Sequence, residues 1–584
     1  MNGWMGNKHH KKCSSSSMQH FKPSSPGLGL GISLQSLKGK ITYSEAVDQE
    51  HNVLQQLTYG QKREEFIVYL LQHTGEIEDI VSYYLRLKCT ERCRLSPRED
   101  WIHGSFNICL PVYVENWRKR PGGRVMIRFP LPFKVGDSNY PGNAEEKVRC
   151  EAATYAWIRE NCPDVPIPYL WGFAFAGGAE GAKGSSVSDP PRDRRKGDEM
   201  RFTILILVGV VQFVTLDNAP LLIRLFEFLR RRIYSILLGR AIPCRYVPSG
   251  HPYSLKIGHL VIDYIEESDG RMLSTSWEEQ RHDKCRRANL FRGLSRIMLK
   301  LGKIPLPRIG SFTMDNEGVI SLTNRPLRFQ LHQLENEGIP TDIGRGTTYV
   351  TTESYLLDVL ACHDSHLIHQ LNAVNDEDDC RAQMAALTTI RAVLPRFIRQ
   401  DLRRGPFLLT LTDLHQSNIF VDDEWNIKYL IDLEWACSLP MEMQHPPYWL
   451  TSQTVDGLVG EQLTLFDEIY REFLDIFAHE EALLLPATQE QQAASLSRTC
   501  TMKRGWEDGN FFYFLALDSI SGLYGLFIQH IQPRFDYNVE YDAFDRKVSP
   551  YWRSESEQFI ATKIQQKSEY DRRLREAFKK QVDD

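Results

Sequence analysis

Three polar side chains, Asp413, Asn418 and Asp432, stand in the stretch LTDLHQSNIFVDDEWNIKYLIDLEW, residues 411–435. Their types and spacing suit phosphoryl transfer. That chemistry needs a carboxylate to orient the acceptor hydroxyl and take its proton, and oxygen ligands for Mg²⁺. Mg²⁺ prefers one or two carboxylates plus nucleotide phosphates over an all-protein cage, so Asn418 with Asp432 suffices. The plainer alternative is that these residues close two ordinary β-turns, where Asp and Asn are common. Glu434, two residues past Asp432, either reaches the metal or faces solvent; solvent is the expectation.

The elements that must hold these residues are legible as periodic runs. Apolar, β-branched segments at 419–421 and 427–431 read as strands around a turn opening Asp422-Asp423-Glu424. Residues 101–129 give two strand runs joined at Pro121-Gly122-Gly123, and Arg128 follows the apolar run Val125-Met126-Ile127. Gly104, Ser105, Phe106 and Asn107 sit where a strand–loop–strand covers nucleotide phosphates, although this is not a Walker sequence. A helix is predicted from near Asn143, with Val148, Ala152, Tyr155 and Ala156 along one face. Glu151 lies on it, while Glu145 and Glu146 near its start favour its dipole. Residues 259–266 read as an apolar strand ending in acids, 277–304 as one amphipathic helix, and 309–327 as a hairpin turning at Asp315-Asn316-Glu317-Gly318. After Trp435, Pro440, Pro446 and Pro447 mark an extended, aromatic-lined loop at the mouth of the site. Apolar helices follow at 466–485 and 510–531, then a charged helix at 555–580.

The D-x-x-x-x-N of 413–418 and the I-D of 431–432 resemble the catalytic loop and metal segment of the aminoglycoside phosphotransferase and choline kinase-like superfamily. The R-F-P context of Arg128 is similar to that of fungal proteins of this group. The resemblance implies an α+β, protein kinase-like two-lobed fold, with a small mixed α/β N-lobe and a large, mainly helical C-lobe. It implies transfer of the γ-phosphate of ATP, with Mg²⁺, to a hydroxyl of a small molecule. Asp413 then matches the catalytic base, and Asn418 and Asp432 the Mg²⁺ ligands. Arg128 stands where the family has a phosphate-binding Lys, Glu151 is its partner, and Gly104–Asn107 cover the phosphates. Asp263, Tyr264 and Ile265 fall at the hinge strand, as adenine contacts through backbone groups. Two departures are visible: Leu411-Thr412 replaces His-Gly before the catalytic Asp, and Arg128 replaces Lys. A guanidinium forks to two oxygens but is bulkier and always charged. The alternative reading is a pseudokinase that serves as a nucleotide- or protein-binding module without turnover. A true protein kinase ranks lower, because no A-P-E-like segment follows Asp432.

Composition sets the outer limits. With 584 residues, 42% hydrophobic and 25% charged, the chain can bury a sizeable core. A net charge of -5 gives no global reason to expect nucleic acid or anionic membrane as partner. The 12 cysteines are scattered, and only Cys89 and Cys93 are close, so no zinc pattern is completed. Scattered thiols, with no apolar segment behind the basic N-terminus, fit a reducing, cytoplasmic location. His363, His366 and His369 are spaced by three, but nearby acids do not complete a metal set. The expected organisation is a disordered tail at 1–43, a helical extension at 44–97, an N-lobe at 98–268, a C-lobe at 269–540 and a helical tail at 541–584. A low-complexity insert at about 176–212 interrupts the N-lobe. It runs into apolar residues 202–216, fewer than the ~20 needed to span a bilayer. Part of this insert is expected to be translated intron sequence that a spliced message would lack. The helix expected at 221–238, with Arg230, Arg231 and Arg232, reads as solvated.

Overall fold

The computed structural model describes residues 33–37, 39–176, 211–217, 219–238, 241–249, 255–484 and 497–583. Most of the expected tail, and residues 177–210 with the retained-intron reading, lie outside the described residues. What is described comprises a mixed α/β N-terminal region and a large, mainly helical C-terminal region.

An eight-stranded sheet organises the first region. Edge to edge it runs Arg92–Leu95, Asn107–Glu115, Arg124–Pro130, His259–Asp263, Leu170–Phe175, Val211–Thr215 and Tyr246–Ser249, with Ile102–His103 pairing Asn107–Glu115. All pairings are antiparallel. Side chains alternate across a strand. Along Arg124–Pro130, Val125, Ile127 and Phe129 therefore share one face and join a core with Ile77, Ile80, Val81 and Tyr84. Those four lie on the helix Thr74–Leu85, which follows Tyr59–Gln72 after a break at His73. Glycine is required at 172, where an added Cβ would lie 2.6 Å from the Tyr84 ring. The opposite face of the sheet, to which Arg128 points, receives the helix Asn143–Asn161, buried along most of its length.

In the second region the helix Lys284–Leu301 buries Leu290, Phe291 and Leu294 in one core with Phe473 and Phe477 of the helix Gly460–Leu484. The single helix expected at 277–304 is two. A short turn, Trp277–Gln280, ends before Asp283, whose side chain caps the longer helix by accepting from the Cys285 and Arg286 amides at 2.8 and 3.1 Å. The helix expected at 510–531 likewise breaks, into Asn510–Asp518 and Leu523–Leu526 followed by a π-helical turn at Phe527–Ile531.

Ordered structure begins earlier than composition suggested. Ser33–Ser36 and Gly39–Thr42 form a hairpin, and Thr42 caps the helix Tyr43–Val47. Leu34, Ala46 and Val53 pack with Tyr570, Leu574 and Phe578 of the helix Ser556–Asp583. The Val53 amide donates to the Tyr570 hydroxyl at 2.9 Å, so the two ends of the described chain close on each other.

The helix Leu221–Leu238 has the expected bounds and is largely exposed. The exposure includes its apolar Leu222, Phe226, Ile236 and Leu237, while Arg231 turns inward and donates to the carbonyls of Cys244 and Tyr246. No helix among the described residues is long and apolar enough to cross a membrane.

Candidate functional site

The strand Phe407–Leu411 pairs with Ala436–Pro440, ending at Leu411↔Ala436, so residues 412–435 leave and re-enter side by side. Within that excursion Ile419–Val421 pairs with Ile427–Leu430. This hairpin brings 418 beside 431, and the Ile431 amide donates to the Asn418 carbonyl at 3.0 Å. The Asn418 side-chain amide donates to the Asp413 carbonyl at 2.8 Å and to its carboxylate at 3.4 Å. Thr412, one of the residues replacing His-Gly, donates its hydroxyl to the Trp435 carbonyl at 2.6 Å. Asp432 adopts φ +59°, the left-handed region that few residues other than glycine enter. Such a conformation persists where surrounding structure fixes it, and it occurs often at functional sites.

Arg128 reaches this loop from the sheet. Its guanidinium donates to Glu151 at 2.6 Å, bonds Asp432, and lies 3.5 Å from Glu434. The expectation that Glu434 faces solvent is wrong: it is 2% exposed. A second cation, Lys147, explains why a carboxylate is tolerated there. Its ammonium lies 3.1 Å from Glu434 and donates to Asn107 at 2.6 Å. Lys147 precedes Glu151 by four residues, which places both on one side of the helix. That spacing was available in the sequence, but nothing local marked Lys147 as buried.

Asn107 is the first residue of its strand, donates to Glu434 at 2.9 Å, and is buried. Gly104, Ser105 and Phe106 form the tight turn before it, closed by the Gly104 amide donating to the Asn107 carbonyl at 2.9 Å. The Phe106 ring meets Trp435 edge-on at 5.2 Å, so the turn sits against the end of the 412–435 excursion. At the hinge, the Asp263 carboxylate accepts from the Trp171 indole at 2.7 Å and pairs with Arg120 at 2.8 Å. The Tyr264 ring lies under the Arg124 guanidinium at 3.8 Å. The Asp263 and Tyr264 amides are committed as well, donating to the Tyr169 and Arg124 carbonyls at 3.0 and 3.4 Å.

The Asn143–Asn161 helix is clamped from below. Glu146, expected only to favour the helix dipole, takes two hydrogen bonds from Arg325, at 2.9 and 2.8 Å, and one from Asn324 at 2.9 Å. Arg325 also bonds Glu335 at 2.5 and 2.9 Å. Burial opposes ionisation of Glu146, yet Arg325 and His332 hold its carboxyl well below the usual range.

The electrostatics follow from burial and count. Burial pushes the Asp413 carboxyl up to about 7, and the neighbouring Glu434 and Asp432 add to the effect. Burial also raises Asp432 and lifts Glu151 to about 7, in both cases against the pull of Arg128. Glu434 goes the other way: Lys147 and Arg128 outweigh its burial and hold it at about 2. Four carboxylates (Asp413, Glu151, Asp432, Glu434) thus face two cations (Arg128, Lys147), leaving room for added positive charge.

Among the described residues no group of three or more His, Cys, Asp or Glu is arranged to hold a metal. The available oxygens are fewer. Arg128 takes Oδ1 of Asp432, while Oδ2 of Asp432 and Oδ1 of Asn418 accept no hydrogen bond among the described residues. Two such oxygens suit a cation that arrives with phosphates rather than a resident ion. Arg128 Nε is buried without a partner, a donor that a phosphate oxygen would satisfy.

Beside Asp413 opens a cleft of about 270 Å³, lined by Leu411, His415, Met443, Tyr448 and Trp449 with Arg328, Gln330 and Gln444 deeper in. Part of the Pro-rich loop after Trp435 therefore does line the site.

No family model and no curated protein matches this sequence. Among solved structures, a "Macrolide 2'-phosphotransferase type I" is similar over 76% of this chain and 95% of that one, at 11% identity and a TM-score of 0.28. This is a weak, distant structural likeness.

Proposed function

We propose that the protein has a protein kinase-like two-lobed fold and transfers the γ-phosphate of ATP to a hydroxyl of a small molecule. The observation that carries this reading is the hydrogen bonding that joins Asn418 to Asp413, and Arg128 to Asp432 and Glu151, although these residues come from distant parts of the chain. Asp413 orients the acceptor hydroxyl and takes its proton; a carboxyl raised to about 7 is matched to that task near neutral pH. Arg128, aligned by Glu151, offers its unpartnered Nε to a phosphate oxygen. Asn418 and Asp432 would hold Mg²⁺, which when bound screens the phosphate charge. Lys147 and Glu434 keep the pair around Arg128 in place, and the turn at Gly104–Phe106 covers the nucleotide. Backbone groups of Asp263, Tyr264 and Ile265 are proposed to meet adenine.

The Arg128–Asp432 bond favours a second reading, a nucleotide-binding module without turnover, because the guanidinium occupies a carboxylate that the metal would use. Thermal stabilisation by ATP with and without Mg²⁺, in wild type and Asp432→Ala, tests the first reading. A ligand bound only by the folded state raises stability, so a Mg²⁺-dependent shift lost in the variant is expected. No shift at millimolar ATP rejects nucleotide binding. A shift with no acceptor-dependent ADP release, unchanged by Asp413→Asn, establishes the module instead.

A further inference from the structure

The cleft beside Asp413 has a chemical character of its own, and the inference drawn from it rests on the phosphotransferase reading above. Trp449 and Tyr448 form its aromatic wall, with Leu411 opposite. The Trp449 indole N–H is already spent on the Leu414 carbonyl at 2.8 Å, so the ring offers the cleft an apolar surface. Two carboxylates border the cavity. Asp413 is needed for the acceptor's proton, and Asp518 is neutralised by its bond to Arg328. His445 is half-buried, and its desolvation lowers the imidazole's proton affinity. A polycation entering this space would find Asp413 as its one unpaired anion. Polar side chains with unpartnered atoms line the cleft instead: the guanidinium of Arg328, its charge met by Asp518, and two neutral amides, Gln444 and Gln330. Arg328 is 8% exposed and its Nε has no partner; Gln444 is 7% exposed and its Oε1 has none. Gln330 spends its amide N–H on the Asp518 carbonyl at 2.6 Å and leaves its own Oε1 unmet. Buried donors and acceptors left without partners are rare and costly, and a bound ligand is one way to satisfy them.

We propose that the acceptor is a compact, uncharged alcohol with an apolar body. Beside its reacting hydroxyl it carries a neutral hydrogen-bonding group that meets Gln444 and Arg328, and polyamino sugars fall outside the range. In the transfer, the acceptor oxygen bonds to the γ-phosphorus of ATP as the bond to the β–γ bridging oxygen breaks. The electron pair leaves with ADP, and the hydroxyl proton passes to Asp413.

The test presents the full chain with two sets of probes of similar size: phenylpropanol and cyclohexanediol, against glucosamine and a diaminocyclitol. Binding is read by saturation-transfer NMR and turnover by ADP release in the presence of ATP and Mg²⁺. The uncharged probes are expected to bind, and to weaken by about tenfold in Gln444→Leu. Asp413→Asn is expected to keep binding and lose ADP release. Gln444→Glu, which adds an unpaired carboxylate, is expected to move the preference toward the amino probes. Binding of the uncharged probes without ADP release supports the selectivity of the cleft while rejecting phosphoryl transfer. Preferential binding of the amino probes, or no binding of either set by folded wild type, overturns the proposal, as does a preference that Gln444→Leu and Gln444→Glu both leave unmoved.

Discussion

Asp413 shows how one residue's environment ties chemistry to stability. Its carboxyl is raised in the folded chain from an ordinary value near 3.8 to about 7. Between those two values the native state binds the proton more tightly than the unfolded chain, so this group lowers stability as pH rises through that window. Asp413→Asn is therefore expected to raise the melting temperature at pH 8 and to leave it unchanged at pH 4, which calorimetry at both pH values checks. The same substitution removes the proposed base, so turnover should fall by about 10²–10⁴-fold, and wild-type kcat/KM should rise with pH through about 7. Glu434 presents the opposite case. Held at about 2 by Lys147 and Arg128, it neutralises a Lys147 that is fully buried. Glu434→Gln leaves that ammonium short of its partner and is expected to cost about 3–5 kcal/mol in urea unfolding.

At the scale of elements, the excursion between the paired strands Phe407–Leu411 and Ala436–Pro440 carries Asp413, Asn418 and Asp432, and its mouth is pinned by Thr412. Thr412→Val keeps the shape and removes the bond to the Trp435 carbonyl. It is expected to cost about 1 kcal/mol of stability and to lower kcat more than it changes ATP affinity, which steady-state kinetics would separate. The hairpin of 419–430 was readable from alternating β-branched runs and an Asp-rich turn, because both signals are local. The expectation of single helices passed over the breaks at 281–283 and 519–522, although each carries a local signal: a polar run ending in the N-cap Asp283, and Ser519, whose hydroxyl accepts from the Gly522 amide at 3.0 Å.

Across the whole molecule, the helix bearing Glu151 is held through its N-terminal half. Arg128 and Lys147 join it to Asp432 and Glu434, and Arg325 joins Glu146 to Glu335. The sheet also accounts for the insert, since its flanking strands are direct partners, Phe175 opposite Val211. Replacing 177–210 by Asn-Gly, which suits a tight hairpin connection, is expected to give a folded chain with the ATP-dependent thermal shift intact; loss of the shift would show that the insert contributes to the site. By itself the sequence determined the strand periods around the site, because alternation along the chain is enough to specify them; it offered Asp413, Asn418 and Asp432 as candidates through the pattern they share with a known family. Only the tertiary structure decided that Glu434 is buried, that Lys147 is its counterion, that Glu146 clamps the helix and that a cleft lies beside Asp413. Each depends on partners far apart in sequence, such as Asn107 and Glu434 at a separation of 327 positions. A charge enters the interior only where such partners meet it, and no local pattern encodes that meeting.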